Sequence, residues 1–141
     1  MSSQGQQQTV AYAPCPPDFK SHTIIISIAT GDPNEPTLAG VKGDFPLVLD
    51  ELTARTNGSF QVMTDFQLPQ PIQNAQMLLP SARSVEESIK KVGDAMKPGD
   101  LCYVYFAGHA YQDTTRTAYM PLPSGERLDG KVGHLPKQHP P

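Results

Sequence analysis

The sequence predicts an α/β fold in which a parallel β-sheet is flanked by helices. Segments with a strand pattern alternate with segments with a helix pattern between residues 22 and 126. The first strand segment, Thr23 to Ala29, is apolar on both faces, which is typical of a strand covered by helices on both sides. The order strand, helix, strand, helix, strand favours a parallel sheet with right-handed crossovers.

A helix follows this first strand. Asp44 is a typical N-cap residue and Pro46 suits a first helical turn, so we predict that the helix begins at Asp44. Gly58 is predicted to end it. The apolar residues of this segment recur at helical spacing and are Phe45, Val48, Leu49 and Leu52. Alternating apolar residues over 60–66 then predict a second strand at the outside of the sheet.

Three prolines fill the next connection, and a second helix comes after it. Ser84, followed three residues later by a glutamate, predicts a capping box at the start of a helix over 84–96. The turn signal Pro98-Gly99-Asp100 comes next. The nearly continuous apolar run over 101–106 predicts the third strand, and 118–122 predicts a short fourth strand.

Proline is the compositional anomaly, and it divides the chain. There are 15 prolines in 141 residues, about twice the usual share of about 5%. Residues 1–21, rich in Gln and Pro, predict a flexible leader, because they hold too little apolar surface to offset the entropy of ordering. Residues 22–126 form the predicted domain, and 127–141 predict a disordered tail. The leader lacks the basic start and apolar stretch of a secretory signal, so we expect a cytoplasmic location.

Charge and hydropathy exclude two kinds of partner. The net charge is −3, and the longest run of basic residues is Lys90-Lys91. Because nucleic acids and anionic membranes bind clustered positive charge, we expect neither as a partner. The apolar runs, such as Ile24 to Ile26, are all far shorter than the roughly 18 residues of a membrane span. We therefore predict no membrane-spanning segment.

The expected strand order is 2-1-3, with the first strand in the middle. Open parallel sheets bind ligands beyond the carboxyl ends of their strands, where the strand order reverses. In this chain that point lies between the first and third strands. Asp44 follows the first strand and His109 follows the third, so the sequence predicts both residues at the same edge of the sheet.

His109 is the strongest candidate for chemistry. It leaves a buried strand through Gly108, where the backbone can approach a ligand closely, and imidazole titrates near neutral pH. The alternative is a histidine that only satisfies local hydrogen bonds. For Asp44 the alternative is the helix N-cap alone. Gly40 and Gly43 match neither of the glycine patterns of nucleotide-binding loops.

The two cysteines, Cys15 and Cys102, form neither a disulfide framework nor a four-ligand zinc site. Cys102 and His109 lie seven residues apart along one predicted strand, which separates their Cα atoms by roughly 23 Å. We therefore predict that Cys102 is a buried structural thiol. Cys15 reaches the site only if the leader folds back over it. His134 and His139 are expected to be solvated residues of the tail, and no metal is expected.

Three segments carry a more specific pattern. They are Leu38-Ala39-Gly40-Val41-Lys42-Gly43-Asp44, Val62-Met63-Thr64-Asp65, and the run from Pro98-Gly99-Asp100 to Ala107-Gly108-His109-Ala110. Together they resemble the larger-subunit half of the metacaspases, which belong to the caspase-like cysteine peptidases. That family has Ser-Gly-His-Gly around its histidine and Gly-Cys-x-Asn-Asp before its aspartate. The resemblance covers about 23–123 and implies a caspase-like sheet of flavodoxin-like strand order, incomplete in this chain.

The resemblance also implies roles for two residues. In metacaspases the histidine is the catalytic base and the aspartate helps form an acidic pocket for Arg or Lys before the scissile bond, so these roles fall to His109 and Asp44. A carboxylate pairs with a guanidinium through charge-assisted hydrogen bonds. The implied activity is cysteine-type cleavage of peptide or protein substrates after basic residues. Calcium is implied by the resemblance only, and no other cofactor is expected.

One part of the family pattern is missing. The metacaspase nucleophile lies in an Asp-x-Cys-His-Ser-Gly motif after the histidine, and this chain has no cysteine beyond Cys102. Thiol acyl transfer needs a thiolate beside the imidazole, so we expect a fragment of a peptidase or an inactive chain. The alternatives are a catalytically dead caspase-like module that binds a peptide or partner, and an unrelated flavodoxin-like domain with a small ligand. An incomplete sheet exposes an apolar edge strand, which favours self-association.

Overall fold

The computed structural model describes residues 18–31, 33–68 and 70–129. Most of the predicted leader and tail therefore lie outside the described residues. Along this part of the chain the elements are β1 (Ser21–Ser27), α1 (Ala39–Arg55), β2 (Phe60–Thr64), β3 (Gln76–Leu78), α2 (Ala82–Ala95), β4 (Leu101–Ala107), β5 (Tyr111–Gln112), β6 (Ala118–Pro121) and β7 (Arg127–Asp129).

β1 to β4 form one parallel sheet in the order β3-β2-β1-β4. Within it, Ile25 of β1 is level with Val62 of β2 on one side and with Tyr105 of β4 on the other. β1 is therefore an inner strand, as its apolar side chains on both faces predict. The predicted α/β class and the 2-1-3 order of the three main strands are confirmed.

The two helices pack on opposite faces of this sheet. Because successive side chains of a strand point to opposite faces, the isoleucine run of β1 contributes to both cores. The core on the α1 face contains Ile25, Phe45, Phe60 and Val62. The core on the α2 face includes Ile24, Ile26, Ile28, Met63, Val85 and Val92.

β2 is an inner strand, and the prediction that it lies at the outside of the sheet is wrong. All of its residues, Phe60–Thr64, are buried. β3 pairs with its outer edge, where Met77 is level with Val62. The sequence predicts only a connection where β3 lies, because a strand of three residues is too short to show an alternation of apolar and polar side chains. Pairing with β2, rather than local propensity, determines this strand.

α1 begins at Ala39, and the prediction that Asp44 caps this helix is wrong. The N-cap is Leu38, which makes no side-chain capping hydrogen bond. Its backbone N–H instead donates to the carbonyl of Ala29 at 2.9 Å, which closes the loop between β1 and α1. Asp44 and Pro46 consequently lie inside the helix, and both are exposed. Packing of the apolar stripe outweighs the helix-breaking preference of Pro46.

The other helix boundaries also differ from the prediction. α1 ends at Arg55 with Thr56 as its C-cap, so Gly58 does not end it. α2 begins at Ala82 after the N-cap Ser81. The Ser81 hydroxyl accepts the Ser84 N–H at 3.0 Å, and the Ser84 hydroxyl accepts the Ser81 N–H at 2.9 Å. The capping box therefore starts at Ser81, because a serine takes the place of the usual Glu or Gln at its third helical position.

A second, antiparallel sheet has the order β5-β6-β7. β6 confirms the predicted fourth strand but places it outside the parallel sheet. β7 occupies Arg127–Asp129, where the sequence predicts the start of a disordered tail, and this part of the prediction is wrong. Leu122 and Leu128 join the core on the α2 face. Tertiary packing thus orders a segment whose own composition favours disorder.

Candidate functional site

The carboxyl edge of the parallel sheet contains the point where strand order reverses. From β1 the chain passes through α1 to β2 on one side, and from β3 it passes through α2 to β4 on the other side of β1. The strand order therefore reverses between β1 and β4, and open parallel sheets bind ligands beyond the carboxyl ends of the strands at such a point. His109 follows β4 directly and lies at this edge, as the sequence predicts.

The imidazole of His109 is held by two contacts. Its Nε2 lies 3.0 Å from the carbonyl oxygen of Pro36, in the loop between β1 and α1. The ring also stacks on Tyr111, with 6.1 Å between ring centroids and an angle of 4° between the planes. Since a carbonyl oxygen can only accept, Nε2 carries the proton and Nδ1 is left as the nitrogen that can accept one.

Gly108 brings the end of β4 against the end of β1. A Cβ at this position would lie 3.1 Å from the carbonyl oxygen of Ile28 and 3.3 Å from its Cβ. The sequence predicts that the backbone at Gly108 approaches a ligand closely. In the structure it approaches the end of the neighbouring strand, at Ile28. Because Gly108 packs closely against Ile28, the backbone of the next residue, His109, is held beside the end of β1.

Asp65 anchors the loop that carries Pro36. Its carboxylate accepts the backbone N–H of Ala29 at 2.7 Å, of Thr30 at 2.8 Å and of Gly31 at 3.1 Å. Charge-assisted hydrogen bonds of this kind are about twice as strong as neutral ones. In the sequence, Asp65 stands out only as the last residue of the motif Val62-Met63-Thr64-Asp65. An aspartate directly after a buried strand is the signal that identifies such an anchor.

Asp44 lies in the second turn of α1 and is exposed. The hydrogen bond of His109 goes to Pro36 rather than to Asp44, so the structure does not join the two predicted site residues directly. A groove of about 520 Å³ lies close to Asp44, between α1 and the segment after β2. Its lining is mostly apolar, includes Lys42 and does not include Asp44. This groove therefore differs in character from an acidic pocket.

Cys102 lies far from His109, at the start of β4. It is level with His22 at the start of β1, whereas His109 follows the other end of the strand. The prediction that Cys102 is buried is wrong: the residue is exposed, because β4 is an edge strand. Partial burial of its thiol raises its pKa, which disfavours the thiolate. Cys15 lies outside the described residues, as do His134 and His139.

A histidine–carboxylate pair lies at the amino end of the sheet. His22 is buried, and its Nε2 lies 3.0 Å from Oδ2 of Asp100. Its Nδ1 accepts the backbone N–H of Ser59 at 2.9 Å, so Nε2 is the donor to Asp100. With both ring nitrogens engaged inside the fold, this imidazole has a structural role. No sequence pattern predicts this pair, because its members lie 78 residues apart.

Two features are absent from the part of the chain that the structure describes. Its His, Cys, Asp and Glu side chains form no group of three or more that could hold a metal ion. Nor does either of its helices have the length and apolar character that crossing a membrane requires.

The chain matches no family model, no curated protein and no solved structure. The resemblance to metacaspases therefore stays a prediction that rests on the motifs around Asp44, Asp65 and His109.

Proposed function

We propose that this chain supplies the histidine half of a caspase-like, metacaspase-type cysteine endopeptidase site that acts on peptides after basic residues. The observation that carries this proposal is the oriented imidazole of His109 at the carboxyl edge of the sheet, where the strand order reverses between β1 and β4. A general base needs a fixed ring and a nitrogen that accepts a proton. The Pro36 carbonyl and the Tyr111 ring fix the imidazole, and Nδ1 is the accepting nitrogen.

In this reaction Nδ1 of His109 takes the proton of a thiol, and the thiolate attacks the carbonyl carbon of the substrate. The amide C–N bond breaks while the imidazolium returns its proton to the leaving amine, and water then hydrolyses the thioester. Cys102 lies at the opposite end of β4. The thiol is therefore proposed to come from outside residues 18–129, either from Cys15 or from another polypeptide segment.

Asp44 is proposed to select a basic side chain in the substrate. Its carboxylate is exposed, and α1 begins at the same edge of the sheet as His109. An exposed carboxylate on a rigid helix can pair with a guanidinium or an ammonium group of an approaching peptide.

A second candidate function is a catalytically inactive caspase-like module that binds a basic peptide at the same edge. The position of Cys102 favours it, because the described part of the chain brings no thiol to His109. Both functions predict binding of a basic peptide, and only the first predicts cleavage.

Fluorogenic peptides that end in Arg or Lys separate the two functions when turnover and peptide binding are measured together, with and without calcium. Turnover that disappears in His109→Ala and in Cys15→Ser supports the peptidase with its thiol in the leader. Binding without turnover supports the inactive module. In both cases we expect Asp44→Asn to weaken binding about 3- to 10-fold, while Asp50→Asn on the same helix leaves it unchanged. Absence of binding and turnover in a folded protein contradicts both functions.

A further inference from the structure

Among the described residues β4 lies at the edge of the parallel sheet, and its own sequence lacks the devices that usually protect an edge strand. Its sequence, Leu101-Cys102-Tyr103-Val104-Tyr105-Phe106-Ala107, contains no charged residue and no proline. Side chains on it are open to solvent, with Val104 52% and Phe106 48% exposed. Natural edges are normally blunted by charge, proline or a bulge, and an exposed apolar edge indicates a contact surface.

The backbone N–H and C=O groups of alternate residues in β4 point away from β1, towards the free side of the strand. The N–H of Leu101 donates to Lys20 at 2.9 Å, and the carbonyl of Ala107 accepts the Ile28 N–H at 2.8 Å, both on the β1 side. Because hydrogen-bonding direction alternates along a strand, the odd-numbered residues of β4 face β1. The N–H and C=O groups of the three even-numbered residues therefore face outward, and these residues are Cys102, Val104 and Phe106.

We infer that β4 pairs in antiparallel fashion with β4 of a second copy of this chain, about a two-fold axis that passes beside Val104. In that register Val104 faces Val104 and Cys102 faces Phe106, so all three outward-facing residues of each copy are paired. Each of the three residue pairs exchanges two hydrogen bonds, which makes six. Registers centred on Tyr103 or Tyr105 pair only two of the three residues.

Side chains and charge favour a second copy as the occupant. The axis is perpendicular to the sheet, so each face of one copy continues into the same face of the other. Cys102, Val104 and Phe106 of both copies then cover one another on the α2 face, and Tyr103 lies opposite Tyr105 on the α1 face. A strand with a charged residue would place like charges near each other when it pairs with itself. β4 has no charged residue, and the two paired strands have the same length of seven residues.

Disulfide trapping tests this register. In a background with Cys15→Ser and Cys102→Ser, Val104→Cys places two thiols across the axis with Cα atoms about 5.5 Å apart, within the range of a disulfide. We expect a covalent dimer under mild oxidation. Leu101→Cys in the same background is the matched control, because its two copies lie roughly 20 Å apart along the paired strands. Equal cross-linking of the two variants, or none in either, overturns the proposed register.

Sedimentation analysis of the full chain tests the association itself. We expect a dimer whose dissociation constant rises at least about 10-fold in Val104→Lys, because that change sets two ammonium groups against each other. Leu47→Lys changes another exposed apolar residue, on α1, and should leave the constant unchanged. Circular dichroism establishes that both variants are folded. A monomeric wild-type chain at about 100 μM, or a dimer that Val104→Lys leaves intact, contradicts the inference. Neither outcome bears on peptide binding at His109.

Discussion

The buried imidazole of His22 is packed so closely against the backbone at Gly58 that no larger residue fits at position 58. Gly58 lies against its ring: a Cβ on Gly58 would be 2.6 Å from Nδ1, 2.7 Å from Cε1 and 3.1 Å from the carbonyl oxygen of Ser21. All three distances are shorter than ordinary van der Waals contacts. Glycine is required at position 58 because of this approach, and not because a helix ends there.

We predict that Gly58→Ala lowers the free energy of unfolding by about 1–3 kcal/mol, since the added methyl group must displace the ring or the backbone. Gly93→Ala is the matched control. Gly93 lies in α2 with open space around its Cβ position, so this change should raise stability by about 0.5–1 kcal/mol. Urea denaturation of both variants measures the difference. Equal effects of the two substitutions contradict the packing account.

Asp100 predicts how stability depends on pH. Its carboxylate accepts the Lys20 N–H, the His22 imidazole and the Lys97 N–H, which together lower its pKa to about 2. The unfolded chain has the ordinary pKa of about 3.9 for this group. The unfolded state therefore binds the proton first as pH falls, and the stabilisation present above about pH 4 is lost as pH falls towards 2.

Denaturation at a series of pH values between 5 and 2 measures this loss. We expect Asp100→Asn to be less stable than the wild type at neutral pH and to lose less stability on acidification. Asp94→Asn alters a carboxylate in an exposed ion pair with Lys90 and should retain the wild-type loss. An Asp100→Asn variant that keeps the full wild-type loss contradicts the assignment.

At the scale of single elements, α1 is the helix in which local preference and tertiary packing conflict. Pro46 lies inside the helix, where it has no N–H for the usual bond to the carbonyl of Lys42. The helix persists because Phe45 is buried against the sheet and Val48, Leu49 and Leu52 pack beside it. Propensity alone would start the helix later, at Asp44, with Pro46 in its first turn.

We predict that Pro46→Ala raises the free energy of unfolding by about 1–3 kcal/mol, because it restores a helical N–H at an exposed position. Pro98→Ala should have the opposite sign. Pro98 is the second residue of a turn in which the Asp100 N–H donates to Lys97 and Gly99 has a φ of 97°. Losing the proline therefore costs about 0.4–1 kcal/mol through the unfolded state. Thermal and urea denaturation measure both changes. Destabilisation by Pro46→Ala contradicts this account of α1.

At the scale of the whole molecule, the two sheets share one core. Leu122, which is 1% exposed, and Leu128 extend the core that β1 and α2 form. Gly31 also approaches the second sheet, since its Cβ position is 2.8 Å from the carbonyl oxygen of Pro121. Shared burial couples the antiparallel sheet to the parallel one, so the two should unfold together.

We predict that Leu122→Ala lowers the free energy of unfolding by about 2–5 kcal/mol and that amides of β1 and β6 lose protection in the same transition. Leu79→Ala is the control: this residue is 83% exposed, so its loss should change stability by about 0.5 kcal/mol or less. Hydrogen exchange in denaturant measures both. Exchange of β6 amides in a separate, earlier transition contradicts a shared core.

The sequence alone determined the layers of this protein and the place of His109 within them. An apolar run on both faces predicts an inner strand, helical periodicity predicts α1 and α2, and a histidine after a parallel strand must lie at the carboxyl edge. These inferences hold because each depends on residues close together in the chain.

The tertiary structure decided which groups meet. His109 bonds to the carbonyl of Pro36, 73 residues earlier. Asp65 holds the loop that carries Pro36 by accepting the backbone N–H groups of residues 29–31. Cys102 is exposed because β4 lies at the edge of the sheet. Hydrophobic periodicity records which face of an element is buried, but it carries no information on distant backbone partners or on which strand is left at an edge.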